Sequence, residues 1–96
     1  MKYRSRTDII AMILQSSMNG ATKTRLMYSA YLSYAQVQEY LQYLTEKRLI
    51  SFDEETHAYK LTEQGLHFLR VYEEISEIVS LKNGEIPETS TPALLG

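Results

Sequence analysis

The stretch Ser33–Ile50, SYAQVQEYLQYLTEKRLI, constrains this chain most. It opens on a serine suited to cap a helix. Val37, Leu41 and Leu44 then recur at spacings of four and three, the period of one buried helix face. The spacing predicts a helix from Ser33 to about Lys47, with Arg48 on the same inward face and Tyr34 and Tyr40 at its edges. Ala35, Gln36, Glu39, Gln42, Tyr43 and Glu46 then point outward. Such a helix cannot stand alone, because its apolar stripe needs neighbours to cover it.

The neighbours are legible on both sides. Upstream, Ser5 or Thr7 can cap a first helix, with Asp8 three residues after Ser5 as in a weak capping box. Ile9, Ile10, Ile13 and Leu14 give that helix an apolar face, and Asn19-Gly20 is expected to stop it, with Gly20 at the left-handed C′ position. Thr22 caps a short second helix, Lys23–Ser29, with Leu26 and Met27 toward the core and Ala30-Tyr31-Leu32 as the turn. Downstream, Leu49–Phe52 reads as a strand, Asp53–Thr56 as a polar turn and His57–Leu61 as the returning strand. Thr62 caps a long last helix patterned by Leu66, Leu69, Tyr72, Ile75 and Val79, with Phe68, Val71 and Ile78 widening the stripe. It reaches Leu81 or Lys82 and spans about 30 Å at 1.5 Å per residue.

Helix, turn, helix and hairpin in this order predict a mainly α fold with a small β-hairpin, a winged helix-turn-helix with a long C-terminal dimerisation helix. The expected organisation is a winged DNA-binding domain over residues 1–70, a coiled-coil dimerisation segment over 71–82 and a disordered tail over 83–96. In such an order the second helix of the pair normally enters a DNA groove. The 96 residues suffice for one domain with one modest core.

Charge supports a nucleic-acid partner once it is split along the chain. Residues 1–50 hold seven Lys/Arg against three acids, a balance of +4; residues 51–96 hold three against nine, a balance of −6. A basic half can meet phosphate while the acidic half faces away. No apolar run approaches the roughly 18 residues of a membrane span, and the start MKYRSRTD leads into an amphipathic pattern unlike a signal peptide. There is no cysteine, so disulfides and thiolate metal sites are excluded, and a cytoplasmic, nucleoid-associated location is expected.

Three blocks, KTRLMYSAYLSY at 23–34, YLQYLTEKRLI at 40–50 and YKLTEQGLHFL at 59–69, resemble the small archaeal winged-helix proteins. These are the ten-kilodalton archaeal chromatin-associated proteins and the transcription regulators related to them. The resemblance covers about residues 7–80. It implies a homodimer whose long C-terminal helices pair antiparallel, and double-stranded DNA binding without enzymatic activity. By position it places Lys23-Thr24-Arg25 in the second helix and Ser33-Tyr34 at the start of the recognition helix. The chain departs from the strongly basic chromatin members in its net charge of −2, which favours a regulator with defined sites over sequence-blind coating of DNA.

The residues expected to touch DNA follow from type and place. Thr22, Lys23, Thr24 and Arg25 combine a helix N-terminus with two cations, a phosphate-contact pattern. Arg4 and Arg6 precede the first helix, and Lys60 sits on the wing. Gln36 and Gln42 face outward on the third helix, where glutamine can bond adenine at two atoms, with Ser33, Tyr34 and Tyr43 beside them. The eight tyrosines, interleaved with cations, allow a stacking platform for single strands. Tyr28, Tyr34, Tyr40 and Tyr59 fall near core-facing positions, which favours packing instead. Tyr72, Ile75, Ile78, Val79 and Leu81 lie beyond the expected core and form a dimerisation stripe. His57 and His67 are isolated, Glu73, Glu74 and Glu77 form a solvated acidic face, and no phosphate loop or nucleophile motif occurs, so neither metal, cofactor nor enzyme chemistry is expected. The competing readings are a winged-helix protein–protein interaction module and an architectural chromatin protein.

Overall fold

The computed structural model describes the backbone of residues 4–84 and the side chains of residues 4–79. Four helices and one antiparallel hairpin follow in the order α1 (Arg6–Ser16), α2 (Lys23–Ser29), α3 (Tyr34–Glu46), β1 (Ile50–Asp53), β2 (Ala58–Leu61) and α4 (Glu63–Gly84). Each start is fixed by a side chain that captures an otherwise unpaired amide. Ser5 caps α1 in a full capping box with Asp8, Thr22 caps α2 through the Arg25 amide, and Ser33 caps α3 in a capping box with Gln36. The Thr62 hydroxyl oxygen accepts from the Gly65 amide at 3.0 Å and opens α4.

Two helix ends share one device. Tyr31 follows α2 and Arg48 follows α3, both with positive φ, 54° and 62°. Around each, paired bonds close the last turn: Tyr31 N–H to Tyr28 O and Leu32 N–H to Met27 O, then Arg48 N–H to Thr45 O and Leu49 N–H to Leu44 O. This is the Schellman arrangement, normally built on glycine. The left-handed backbone aims Arg48 into solvent, so it leaves the inward face expected from the helical spacing. Leu49 is used in the same cap, which starts β1 at Ile50 rather than Leu49. His57, at φ 56°, closes the hairpin loop, and β2 begins at Ala58.

α1 stops at Ser16, ahead of Asn19-Gly20, for a physical reason lying in Ser17. Ser17 is fully buried, its hydroxyl donates to Leu14 O at 3.0 Å, and its carbonyl accepts the amides of Leu61 and Gly20, both at 3.1 Å. The carbonyl that would extend the helix is thus drawn to the sheet. Gly20, at φ 90°, serves the turn that follows and not the helix cap. That turn delivers Ala21 to β2, where it exchanges both backbone bonds with Tyr59, at 3.0 and 2.8 Å. The hairpin therefore gains a one-residue bridge on the free edge of β2, a feature with no signature in the sequence pattern.

The core is one cluster. Ile13, Leu14, Leu26, Val37, Leu44 and Ile50 are essentially fully buried, with Leu41 and Leu69 beside them. Its members come from every helix and from β1, so the helix-turn-helix and the hairpin share one apolar interior. α4 enters through Leu69, with Phe68 and Tyr72 packed at the edge. It then continues unbroken through position 70, so the segment assigned to dimerisation belongs to the helix that closes the core. The tail expected over 83–96 falls outside the described residues from 85 onward.

Candidate nucleic-acid interface

The outward face of α3 is polar and framed by cations on two flanks. On the flank facing α2, the Lys23 ammonium donates to the Tyr34 hydroxyl at 3.3 Å and to Gln38 Oε1, and lies 4.9 Å from the centre of the Tyr34 ring. These contacts hold the start of α2 against the start of α3. On the opposite flank Arg6 lies 5.2 and 5.8 Å from the ring centres of Tyr40 and Tyr43, and Lys47 lies 5.6 Å from that of Tyr43. Aromatic faces attract cations without neutralising them, so these charges are positioned and still available to an anion. Between the flanks, Ala35, Gln36, Glu39, Gln42 and Glu46 are exposed, as the helical period requires.

The expected contact residues separate into distinct roles. Thr22 is occupied as the α2 cap, accepting from the Arg25 amide at 3.2 Å, while Thr24 and Arg25 are exposed. α2 has only seven residues, so the cations outweigh any helix dipole there. Arg4 and Arg6, adjacent in sequence, part company. Arg4 donates to Ala30 O at 2.6 Å and Tyr31 O at 3.3 Å, satisfying carbonyls at the end of α2, and also contacts Met12 Sδ at 3.3 Å. Lys60 on the hairpin pairs with Asp53 at 3.7 Å. The Glu55 amide is the main cause of the lowered pKa of Asp53, with Lys60 adding to it.

Ser33 and Gln36 form the α3 capping box. The Gln36 backbone amide donates to Ser33 Oγ at 3.1 Å, and the Ser33 backbone amide donates back to Gln36 Oε1 at 2.9 Å. Gln36 thus keeps only its side-chain NH₂ for a base edge, while Gln42 is exposed and unconstrained by any cap. The tyrosines depart from the packing expectation. Tyr28 and Tyr34 are 70% and 60% exposed, because α2 buries only Leu26 and Tyr34 occupies the first position of α3, off its inward face. Tyr40 and Tyr59 are half-buried as expected. Sequence reasoning missed Gln38 and Lys47 as members of this surface. The signal for Gln38 was its place one turn after Tyr34, on the flank toward α2.

The residues expected to mediate dimerisation lie on α4. Val71, Ile75, Ile78 and Val79 are exposed, at 39–72%. A groove of about 290 Å³ runs between the start of α1 and this helix, lined by Thr7, Phe68, Val71, Ile75 and Val79. Tyr72 is half-buried and turned to α1, its hydroxyl donating to Asp8 Oδ1 at 2.6 Å. That bond is the main cause of the Asp8 carboxyl lying below its usual range, followed by the Ser5 amide. It also raises the Tyr72 pKa. The Leu81 side chain lies outside the described residues. Among the described residues no helix is long and apolar enough to cross a membrane.

Residues 3–80 match the model of a family described as winged helix-turn-helix. The chain belongs to the winged helix-turn-helix family. Among solved structures it is similar to Sso10a-2, a DNA-binding protein from Sulfolobus solfataricus, at 27% identity and a TM-score of 0.69. The similarity covers 78% of this chain and 81% of that one. No curated protein matches the chain. The family match and this archaeal neighbour agree with the resemblance carried by the three sequence blocks.

Proposed function

We propose that this protein is a homodimeric double-stranded-DNA-binding protein that regulates transcription, with no enzymatic step. The observation that carries the reading is the framed face of α3: exposed amides on the helix, Lys23 fixed on one flank and Arg6 with Lys47 on the other. A helix that enters a major groove needs base-reading groups along its middle and phosphate-reading cations at its borders. The description of Sso10a-2 as a DNA-binding protein supports the same reading. Glu39 shares a small notch with Arg6 and Tyr40, which brings a cation beside one of the two outward acids.

Dimerisation rests on the exposed side of α4. Val71, Ile75, Ile78 and Val79 recur at spacings of four, three and one, suited to a two-helix seam. Full burial of such a side chain contributes about 1.5–3 kcal/mol, and these four are already partly covered, so about 1–2 kcal/mol each remains. Counted on both subunits, that gives roughly 8–16 kcal/mol against an association cost of about 4–15 kcal/mol. The balance predicts a dimer whose population depends on protein concentration. Two-fold pairing would present two recognition helices to one DNA face.

A gel shift of the full chain on random duplex DNA across a salt series tests the reading. Retardation at about 50 mM salt that fades steeply as salt rises is the expected result. No retardation at low salt would reject DNA binding and leave the protein–protein module as the better account.

A further inference from the structure

A cleft of about 380 Å³ opens between α3 and the hairpin, within the size range of small-ligand sites, about 300–1,000 Å³. Leu41 forms part of its lining, Phe52 is its aromatic member on the hairpin, and Lys23 lines it from α2. Phe52 lies on the same side of β1 as Ile50, because side chains two apart share a face. Ile50 is 1% exposed, whereas Phe52 is 41% exposed, so the ring overhangs the edge of the core. Its cross-strand partner Tyr59 packs against it at 4.9 Å between ring centres, and His57 meets it edge-on at 6.1 Å. The ring is thus braced and still accessible, as a stacking surface must be.

The polar groups facing this ring set one acceptor-only side chain, Glu46, beside donors from Lys23 and the side-chain NH₂ groups of Gln38 and Gln42. Gln42 and Glu46 both line the cleft and stand one turn apart on α3, on the same side of the helix. Glu46 can only accept as a carboxylate. The Thr45 hydroxyl gives its proton to Leu41 O at 2.7 Å, which leaves its oxygen as an acceptor. Gln38 Oε1 is taken by Lys23, which leaves Gln38 its NH₂ as a donor. A ligand that meets Glu46 needs a flat face for Phe52 and adjacent N–H donors at its edge for the carboxylate. An unpaired guanine offers such an edge, with N1–H and the 2-amino group side by side. Adenine and cytosine present one amino group, and thymine one N–H between two carbonyls that Glu46 would repel. Lys23 supplies the cation for an attached phosphate.

We propose that the cleft between α3 and the hairpin is a guanine site, with Phe52 as the stacking surface, Glu46 as the paired acceptor and Lys23 near the phosphate. In an intact duplex the same guanine edge is occupied by its partner, so the site takes an unpaired base or a free guanine nucleotide. The inference requires the fold but not duplex binding.

The test uses the full chain and labelled oligo-dT strands carrying dG, dA, dC or dT at one central position, read by fluorescence anisotropy. The dG strand should bind about tenfold more tightly than the others, a difference within the range of base–aromatic stacking plus edge recognition. Phe52→Leu should abolish that preference, and Glu46→Gln, at an exposed helix position, should remove most of it with thermal unfolding unchanged. Glu46→Gln keeps the test open if Phe52→Leu fails to fold. GMP that displaces the dG strand identifies the free nucleotide as a ligand; GMP that does not identifies the strand-borne base. Equal binding of all four strands, or a dG preference that survives both substitutions, overturns the proposal. A blunt duplex measured in parallel separates outcomes, since duplex binding without any dG preference would refute this site alone.

Discussion

Gly65→Ala should destabilise the protein although it replaces glycine by the best helix former inside a helix. Helical propensity alone favours alanine by about 0.8–1.0 kcal/mol. The structure reverses the sign. A Cβ on Gly65 would overlap the Leu49 carbonyl oxygen and come within 2.6 Å of Leu61 Cδ1. The Leu49 carbonyl cannot move freely, because it accepts the Thr62 amide at 3.2 Å and lies 3.0 Å from the Thr62 hydroxyl, which it shares with the Arg48 carbonyl at 2.8 Å, the contacts that seat the α4 cap. Overpacking of this kind costs about 1–3 kcal/mol, and weakening of the two bonds at Leu49 adds about 0.5–1.5 kcal/mol each. Subtracting the propensity gain leaves a loss of about 1–5 kcal/mol. At about 4–8 °C per kcal/mol for a domain this size, even the lower figure is readily seen in thermal unfolding followed by circular dichroism. A variant as stable as the parent, or more stable, would refute the claim that α4 docks through its glycine.

The other expectations concern the cap, the seam and the acid side of the stability curve. Gln36→Ala should lower the melting temperature by several degrees through loss of the α3 capping box, worth about 1 kcal/mol, whereas Gln36→Glu keeps the box. Selection from random duplexes with Gln36→Glu therefore tests base reading without the folding penalty, and an unchanged motif would remove Gln36 from the readout. Ile75→Glu with Val79→Glu should yield a monomer with its winged domain folded, as measured by light scattering at micromolar concentration; a dimer of unchanged mass would refute the seam. Asp8 has a lowered folded pKa, chiefly through the Tyr72 hydroxyl, so its contribution is present above its unfolded value near 3.9 and lost as pH falls through the folded one. Tyr72→Phe should accordingly cost stability at pH 7 and show a shallower loss on acidification below about pH 4; parallel melting curves for parent and variant across that range would contradict the linkage.

The elements were legible because their signals are local. Ser5, Thr22 and Ser33 announce helix starts by residue type, and Val37, Leu41 and Leu44 announce a buried face by period. What escaped depends on contacts distant in sequence. The end of α1 is decided by Ser17 meeting Leu61, and the bridge at the edge of β2 by Ala21 meeting Tyr59. The placing of Arg48 in solvent follows from a left-handed cap formed by a residue type that seldom adopts it. At the candidate interface, residue type identified the cations, but neighbours decided their use. Arg4 and Arg6 look alike in sequence; one closes α2 and the other stands over two tyrosines. Gly65 resembles a helix flaw until the Leu49 carbonyl is placed against it.

The account rests most heavily on α2 and α3 meeting duplex DNA with Lys23 and Arg25 on phosphate. The most direct measurement is the salt dependence of duplex affinity for the parent and for Lys23→Ala with Arg25→Ala, on two unrelated sequences. Loss of two phosphate contacts should reduce the slope of log affinity against log salt by about 2 and weaken both sequences alike. A double variant with the parent's affinity and slope would contradict the account.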